Sequence, residues 1–353
     1  MTGQKPFLII VVIVIIFIVG LSLIPVLFKA RTSPTSSGTS EGRGNGTTLY
    51  RSDDGGLSWK VLNNFMGGNI STIGFDASNQ KQFLIETEAR GVWRGDTAGE
   101  KFTQYPGGVG EGARIFDLVE PATEKEFIAL VLFTNRGRII RYKDEKRSEL
   151  FFTPLEKYAF LKGYRTKAGF LRVIGSDGGF YESRNNGATW RLASRFQSGL
   201  LSMVSNPAHE NQIWVLDPRG SFYMSSDGGA SWNDLSDSLK NFSGAKDNPT
   251  IFIDPRTQYL YHGSRFGLLR SINSGLSWEK INLTLAPEVL PITAIAMDPH
   301  DSAKIYIAGQ NQLYASEDAG VTWRGVQIAS TKVISSILIN PSNTKEVFIG
   351  TKN

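Results

Sequence analysis

S-S-D-G-G-A-S-W, from Ser225 to Trp232, is one of five copies of an eight-residue pattern, Ser-x-Asp/Asn-x-Gly-x-Ser/Thr-Trp, whose spacing decides the fold. The others are S-D-D-G-G-L-S-W (Ser52 to Trp59), S-R-N-N-G-A-T-W (Ser183 to Trp190), S-I-N-S-G-L-S-W (Ser271 to Trp278) and S-E-D-A-G-V-T-W (Ser316 to Trp323). The last four tryptophans lie 42, 46 and 45 residues apart. A period of that length, with strand-like apolar runs in each unit, predicts propeller blades around an axis.

Trp59 and Trp190 are 131 residues apart, three periods and not one, so two blades have lost the motif. One survives as G-V-W-R-G-D-T-A-G-E-K-F from Gly91, with Gly99 at the motif glycine and Phe102 at the tryptophan position. The other keeps only the strand pattern, in the run from Gly137 to Phe152. Each full unit reads as four strands, and the sixth is the clearest: strands from Ile292, Lys304, Gln312 and Thr322, with the motif as the hairpin between the third and fourth. The chain ends with two strands, from Val333 and Glu346, and the part after the linker begins with the complementary two, at Thr48 and Ser58. Joined, they make a composite blade, so the expectation is an all-β, seven-bladed propeller closed by both ends of the chain, with no open edge to the ring.

Turn chemistry accounts for the motif. The acid or amide (Asp54, Asn185, Asp227, Asn273, Asp318) accepts bonds from turn N–H groups, and the glycine (Gly56, Gly187, Gly229, Gly275, Gly320) takes a positive φ. The tryptophan (Trp59, Trp190, Trp232, Trp278, Trp323) buries a large ring against the neighbouring blade. These fifteen residues read as scaffold. Calcium loops of similar composition carry a bidentate Glu at the twelfth position, which these lack.

The pattern resembles the Asp-box, or bacterial neuraminidase repeat, over roughly residues 47 to 353. The chain is similar to propellers that carry it: photosystem II assembly and stability factors, sortilin-type receptor domains, and catalytic sialidases and xyloglucanases. First strands ending in Asn206-Pro207, Asp254-Pro255, Asp298-Pro299 and Asn340-Pro341, with short third strands, look most like the assembly-factor group. That resemblance implies a seven-bladed fold, but the repeat recurs in enzymes and binding proteins alike.

After a short tail (1–6), residues 7–28 carry no charge, and as a helix would span about 33 Å, enough to cross a bilayer. The stretch exceeds the usual apolar core of a cleaved signal peptide, the competing reading, and ends F-K-A-R, so it reads as an uncleaved transmembrane signal anchor. No Cys exists for a lipid anchor. Residues 29–47 are a linker rich in Ser, Thr and Gly, and the propeller occupies 48–353. Basic residues flank the apolar stretch on both sides, so the charge rule leaves orientation open, and the family resemblance implies a propeller outside the cytoplasm.

The formal charge is +5, of which Lys5, Lys29, Arg31 and Arg43 against Glu41 account for three. The remainder, with no basic run interleaved with aromatics, is no argument for nucleic acid. His209, His262 and His300 fall in different blades, read as loop or surface residues, and suggest no metal site. No cofactor is expected, and the propeller is expected to be monomeric. Just before each third strand stand Arg90, Arg136, Asp177, Arg219, Arg265, Asn311 and Lys352. Strand alternation puts these positions on one face, opposite the motif turns, so Arg90, Arg136, Arg219, Arg265 and Lys352 are candidates for an electropositive ring that binds a carboxylate-bearing or otherwise acidic partner. The alternative is that they are solvated or ion-paired with Asp177, Asp217 and Glu88. Two function classes follow. In one, the propeller is a non-catalytic assembly or scaffolding factor for membrane proteins. In the other it is a glycosidase: a sialidase-like site needs an arginine triad, a Tyr nucleophile with a Glu, and an Asp acid, a xyloglucanase-like site needs two facing carboxylates, and Asp177 and Asp217 are the channel-mouth acids to test. No acidic pair stands out on the channel side.

Overall fold

The structure, a computed structural model, describes residues 48–76, 79–105, 112–119, 126–144, 146–283 and 289–353. The tail, anchor and linker expected at 1–47 lie outside these residues. Among the described residues, no helix is long and apolar enough to cross a membrane.

Seven four-stranded antiparallel sheets form the ring. The chain opens with the outer half of the closing blade, β1 (Leu49–Ser52) and β2 (Lys60–Val61). Blade one follows as β3 (Ile70–Asp76), β4 (Asn79–Thr87), β5 (Val92–Asp96) and β6 (Phe102–Gln104), and blade two as β7 (Arg114–Val119), β8 (Glu126–Phe133), β9 (Arg136–Lys143) and β10 (Lys146–Phe152). Blade three is β11 (Phe160–Arg165), β12 (Leu171–Gly175), β13 (Gly179–Ser183) and β14 (Arg191–Arg195), and blade four β15 (Ser202–Ser205), β16 (Ile213–Leu216), β17 (Phe222–Ser225) and β18 (Asn233–Asp234). Blade five is β19 (Thr250–Ile253), β20 (Leu260–Ser264), β21 (Gly267–Ser271) and β22 (Glu279–Ile281), and blade six β23 (Ala294–Asp298), β24 (Asp301–Gly309), β25 (Gln312–Ser316) and β26 (Arg324–Gln327). β27 (Val333–Ile339) and β28 (Val347–Lys352) then complete the closing blade, in the order β2-β1-β28-β27. The two ends are stitched from Leu49↔Gly350 to Ser52↔Val347, as the strand count requires.

The five motif turns share one hydrogen-bond pattern. The first-position Ser Oγ accepts the glycine N–H at 2.7 Å in the closing blade and at 2.8 Å in the other four. The third-position Oδ1 accepts the N–H of the seventh residue at 2.8–2.9 Å. All five glycines have φ between +80° and +93°. In blade one, Asp96 takes over the acceptor role one place out of register, receiving Glu100 N–H at 2.9 Å. In blade two, a two-residue turn between the paired Lys143 and Lys146 replaces the motif, with Asp144 at φ +49°.

The core is divided among the blade interfaces. Seven apolar clusters of described residues each straddle one pair of adjacent blades. The motif tryptophans reach back to the preceding blade: Trp190 stacks on Phe151 with centroids 5.7 Å apart, Trp232 meets Phe180 edge-on at 5.3 Å, and Trp278 meets Phe222 at 5.7 Å. Each ring thus carries both a turn and a seam, coupling the local motif to ring closure.

Candidate functional site

The innermost strands β3, β7, β11, β15, β19, β23 and β27 line a central cavity of about 680 Å³. Much of its wall is hydroxyl-bearing, from Ser71, Thr72, Ser202, Ser205, Thr250, Thr293, Ser335 and Ser336. One sector is charged. There Lys162 Nζ donates to Asp117 Oδ1 at 2.7 Å, and Gly163 N–H donates to Asp117 Oδ2 at 2.9 Å. Behind this pair Glu86, on β4, is 1% exposed. Its Oε2 has no hydrogen-bond partner among the described residues. Burial, and then the Asp117 charge, push its pKa well above the usual carboxylate range against the pull of Lys162 and the Leu118 N–H. Burial alone would depress Lys162, but Asp117 and Glu86 outweigh it and raise its pKa. The arrangement therefore favours a charged Lys162 held against Asp117, beside a protonated Glu86.

The sequence reading, which found no acidic pair on the channel side, looked for carboxylates in loops and missed this cluster. The available signal was a Glu inside the apolar run Phe83-Leu84-Ile85-Glu86-Thr87. A carboxyl whose folded pKa is raised contributes stability below its unfolded pKa and loses it as pH rises. Glu86→Gln should therefore be more stable than the parent by about 1 kcal/mol at pH 8, with the gap closing near pH 4 in urea melts.

Asp177 and Asp217 do not line the cavity. Asp217 is 2% exposed, and its Oδ1 accepts the N–H groups of Arg219 and Ser221, both at 2.8 Å. Asp177 Oδ1 accepts Gly179 N–H at 3.0 Å, while its Oδ2 accepts the Tyr181 hydroxyl at 2.6 Å and lies 3.3 Å from Arg195 Nη2. Burial, reinforced by Asp177, pushes the Tyr181 hydroxyl up to about 12. Both acids hold the loop between a second and a third strand. His262 corrects another expectation: it is not at the surface but 0% exposed on β20.

The five basic positions occupy equivalent stations between second and third strands, on the face opposite the motif turns. Arg90, Arg219 and Arg265 are exposed. Arg90 Nη1 donates to the Met66 carbonyl at 2.7 Å, and the three guanidiniums have no carboxylate within ion-pair distance among the described residues. Arg136 is 3.8 Å from the exposed Glu156 and lies over the Phe152 ring at 5.8 Å. Lys352 Nζ is 4.0 Å from Glu88, which also faces Arg114 at 3.6 Å. Asp177 and Asp217 thus bond to their own turns, and neither neutralises a ring position.

Solved structures of low sequence identity share this architecture. The GH74 enzyme of Niastella koreensis superposes with a TM-score of 0.65 at 15% identity, covering 81% of this chain and 51% of that one. YCF48 bound to a D1 peptide superposes with a TM-score of 0.63 at 12% identity, covering 81% of this chain and 94% of that one. YCF48 from Cyanidioschyzon merolae gives 0.62 at 15% identity, covering 80% and 96%. The fold is shared with all three. No family model matches the chain. Among curated proteins, the xyloglucanase Xgh74A of Acetivibrio thermocellus is 25% identical over 193 residues, 42% of this chain. The chain spans only 23% of that enzyme's length, and about half of the GH74 structure.

Proposed function

We propose that this propeller is a non-catalytic, membrane-anchored binding module, of the photosystem II assembly-factor kind, whose basic face receives an acidic segment of a membrane-protein partner. The observation that carries the reading is the recurrence of a cation at one station in five of seven blades, three of them exposed arginines without a carboxylate partner among the described residues. Guanidinium forks held on short turns match carboxylate geometry. Support comes from YCF48, a propeller of the same fold that holds a peptide. The uncharged stretch 7–28 supplies the anchor and 29–47 the tether, with the propeller outside the cytoplasm. Reversing charge at four stations (Arg90→Glu, Arg136→Glu, Arg219→Glu, Arg265→Glu) is expected to lower recovery of the partner from membranes at least tenfold, with the melting temperature nearly unchanged. Unchanged recovery would remove the basic face from the account.

The similarity to a xyloglucanase favours a second reading, a glycoside hydrolase with its site at the channel mouth. The two candidate acids are committed to turn hydrogen bonds, which supports the binding reading over this one. Screening the chain against xyloglucan and sialyl chromogenic substrates separates the two. Turnover abolished by the Asp177→Ala/Asp217→Ala double variant would replace the binding reading with the enzymatic one.

A further inference from the structure

Blade two departs from the other six at its outer edge. Its last strand, β10, runs for seven residues, whereas the outer strands elsewhere have two to five. In an antiparallel pair, alternate residues of the edge strand turn their N–H and C=O groups away from the partner, so β10 offers the longest row of outward backbone groups on the rim. Beside it, the neighbouring blade's outer strand, β6, is only three residues long. The face of blade two turned toward it is left open as a cavity of about 260 Å³ lined by Phe133, Arg138, Ile140, Arg147 and Glu149. The strand register puts these side chains on one face, since Glu149 pairs with Ile140, and Phe152 pairs with Arg138 beyond the bulge. Phe152 is 46% exposed.

We propose that this edge and cavity are a strand-addition site for an extended acidic segment of a partner protein. The charge selects the occupant. Residues 136–152 hold six cations (Arg136, Arg138, Arg141, Lys143, Lys146, Arg147) and three acids (Asp144, Glu145, Glu149); Glu156, which pairs with Arg136, and Glu126, which pairs with Arg141 and Lys143, bring the acids to five and leave a net positive charge of one. Charged residues on an edge normally deter pairing, and here their net positive sign repels a second copy of the same strand while attracting an acidic one. Backbone bonds to β10 would supply affinity. Carboxylates on the cavity face of the added strand would stand beside Arg147 of β10, and its alternate apolar side chains would turn to the opposite face. The site lies on the rim, and the proposal stands independently of the basic-face reading.

The test is fluorescence anisotropy of the full-length protein in detergent with a labelled ten-residue peptide alternating aspartate and valine. Saturable binding is expected, weakened at least tenfold when lysine replaces aspartate. The same side chains on a peptide with alternate backbone amides methylated should also bind at least tenfold more weakly, a result that charge attraction alone would not give. Arg147→Pro supplies the protein-side test. The two-residue turn makes Lys143 and Lys146 the hydrogen-bonded closing pair, so the next N–H, that of Arg147, points outward, and proline there takes no bond from the ladder. The variant should melt like the parent and bind at least tenfold more weakly. The variant reversed only at Arg90, Arg219 and Arg265 of the basic face, by contrast, should bind this peptide unchanged. No binding up to millimolar peptide, or full affinity of the methylated peptide, would overturn the proposal. So would loss of binding in a variant reversed only at Arg90, Arg219 and Arg265, which would move the peptide to the basic face.

Discussion

Gly229→Ala is expected to lower the unfolding free energy by about 3 kcal/mol, with the left-handed backbone and overpacking contributing together. Gly229 has φ +93°, and a Cβ built there would sit 2.3 Å from Cε1 of Phe180. That ring has little room to give way: Phe180 is 0% exposed in the cluster between blades three and four, and Trp232 meets it edge-on with an interplanar angle of 72°. The Gly229 N–H is also tied to Ser225 Oγ at 2.8 Å, so moving the turn breaks the motif's own bond. Gly74→Ala is the control. A Cβ there meets nothing within 4 Å, and its stability should lie within about 0.5 kcal/mol of the parent. Chemical melts of the two variants at neutral pH check both values.

Acidification from pH 6.5 to pH 4 is expected to remove about 3 kcal/mol of stability through His262 alone. Burial pushes the His262 pKa down to about 4 from an ordinary 6.5. Among the described residues neither ring nitrogen finds a partner outside the residue's own backbone, and the ring lies edge-on to Trp278 at 5.7 Å. The folded state therefore resists protonation, while the unfolded chain accepts a proton as pH falls through 6.5. Stability from this group is full above 6.5, declines through the interval and levels off below 4. His262→Phe keeps the edge-on contact and removes the titration. The parent-minus-variant difference in urea melts should change by about 3 kcal/mol between pH 7 and pH 4. A difference that stays constant across that range would mean that His262 is hydrated or hydrogen-bonded in the folded protein.

The ring was legible because its determinants are local. Ser225, Asp227, Gly229 and Trp232 each satisfy a turn requirement within eight residues, and the tryptophan spacing counts the blades even across the 131-residue gap. The pairing of β1 with β28 followed from counting strands at the two ends. The stations of Arg90, Arg219 and Arg265 also followed from strand alternation. Their exposure did not, since it depends on what neighbouring loops bring to the same face. Glu86, Asp117, Lys162 and His262 were not legible for a different reason. Glu86 meets Asp117 and Lys162 only because three successive blades pack side by side, and His262 is buried by the Trp278 ring of its own blade's motif turn. Period-two alternation says that a strand residue faces one seam or the other, but not what the opposing blade places there. The long edge of blade two was visible as a run lacking turn chemistry, yet its significance appears only beside the short β6.

The most direct test of the binding account is site-specific photocrosslinking of the full-length protein in its native membranes. A photoreactive phenylalanine at Arg219 or Arg265, on the basic face, is compared with one at Val321, which is 78% exposed on the opposite face. The account predicts one discrete protein adduct from the two basic-face positions, its loss when Arg90 and Arg136 are changed to glutamate, and none from Val321. Adducts from Val321 alone, or of equal yield from both faces and indifferent to the charge reversals, would contradict it.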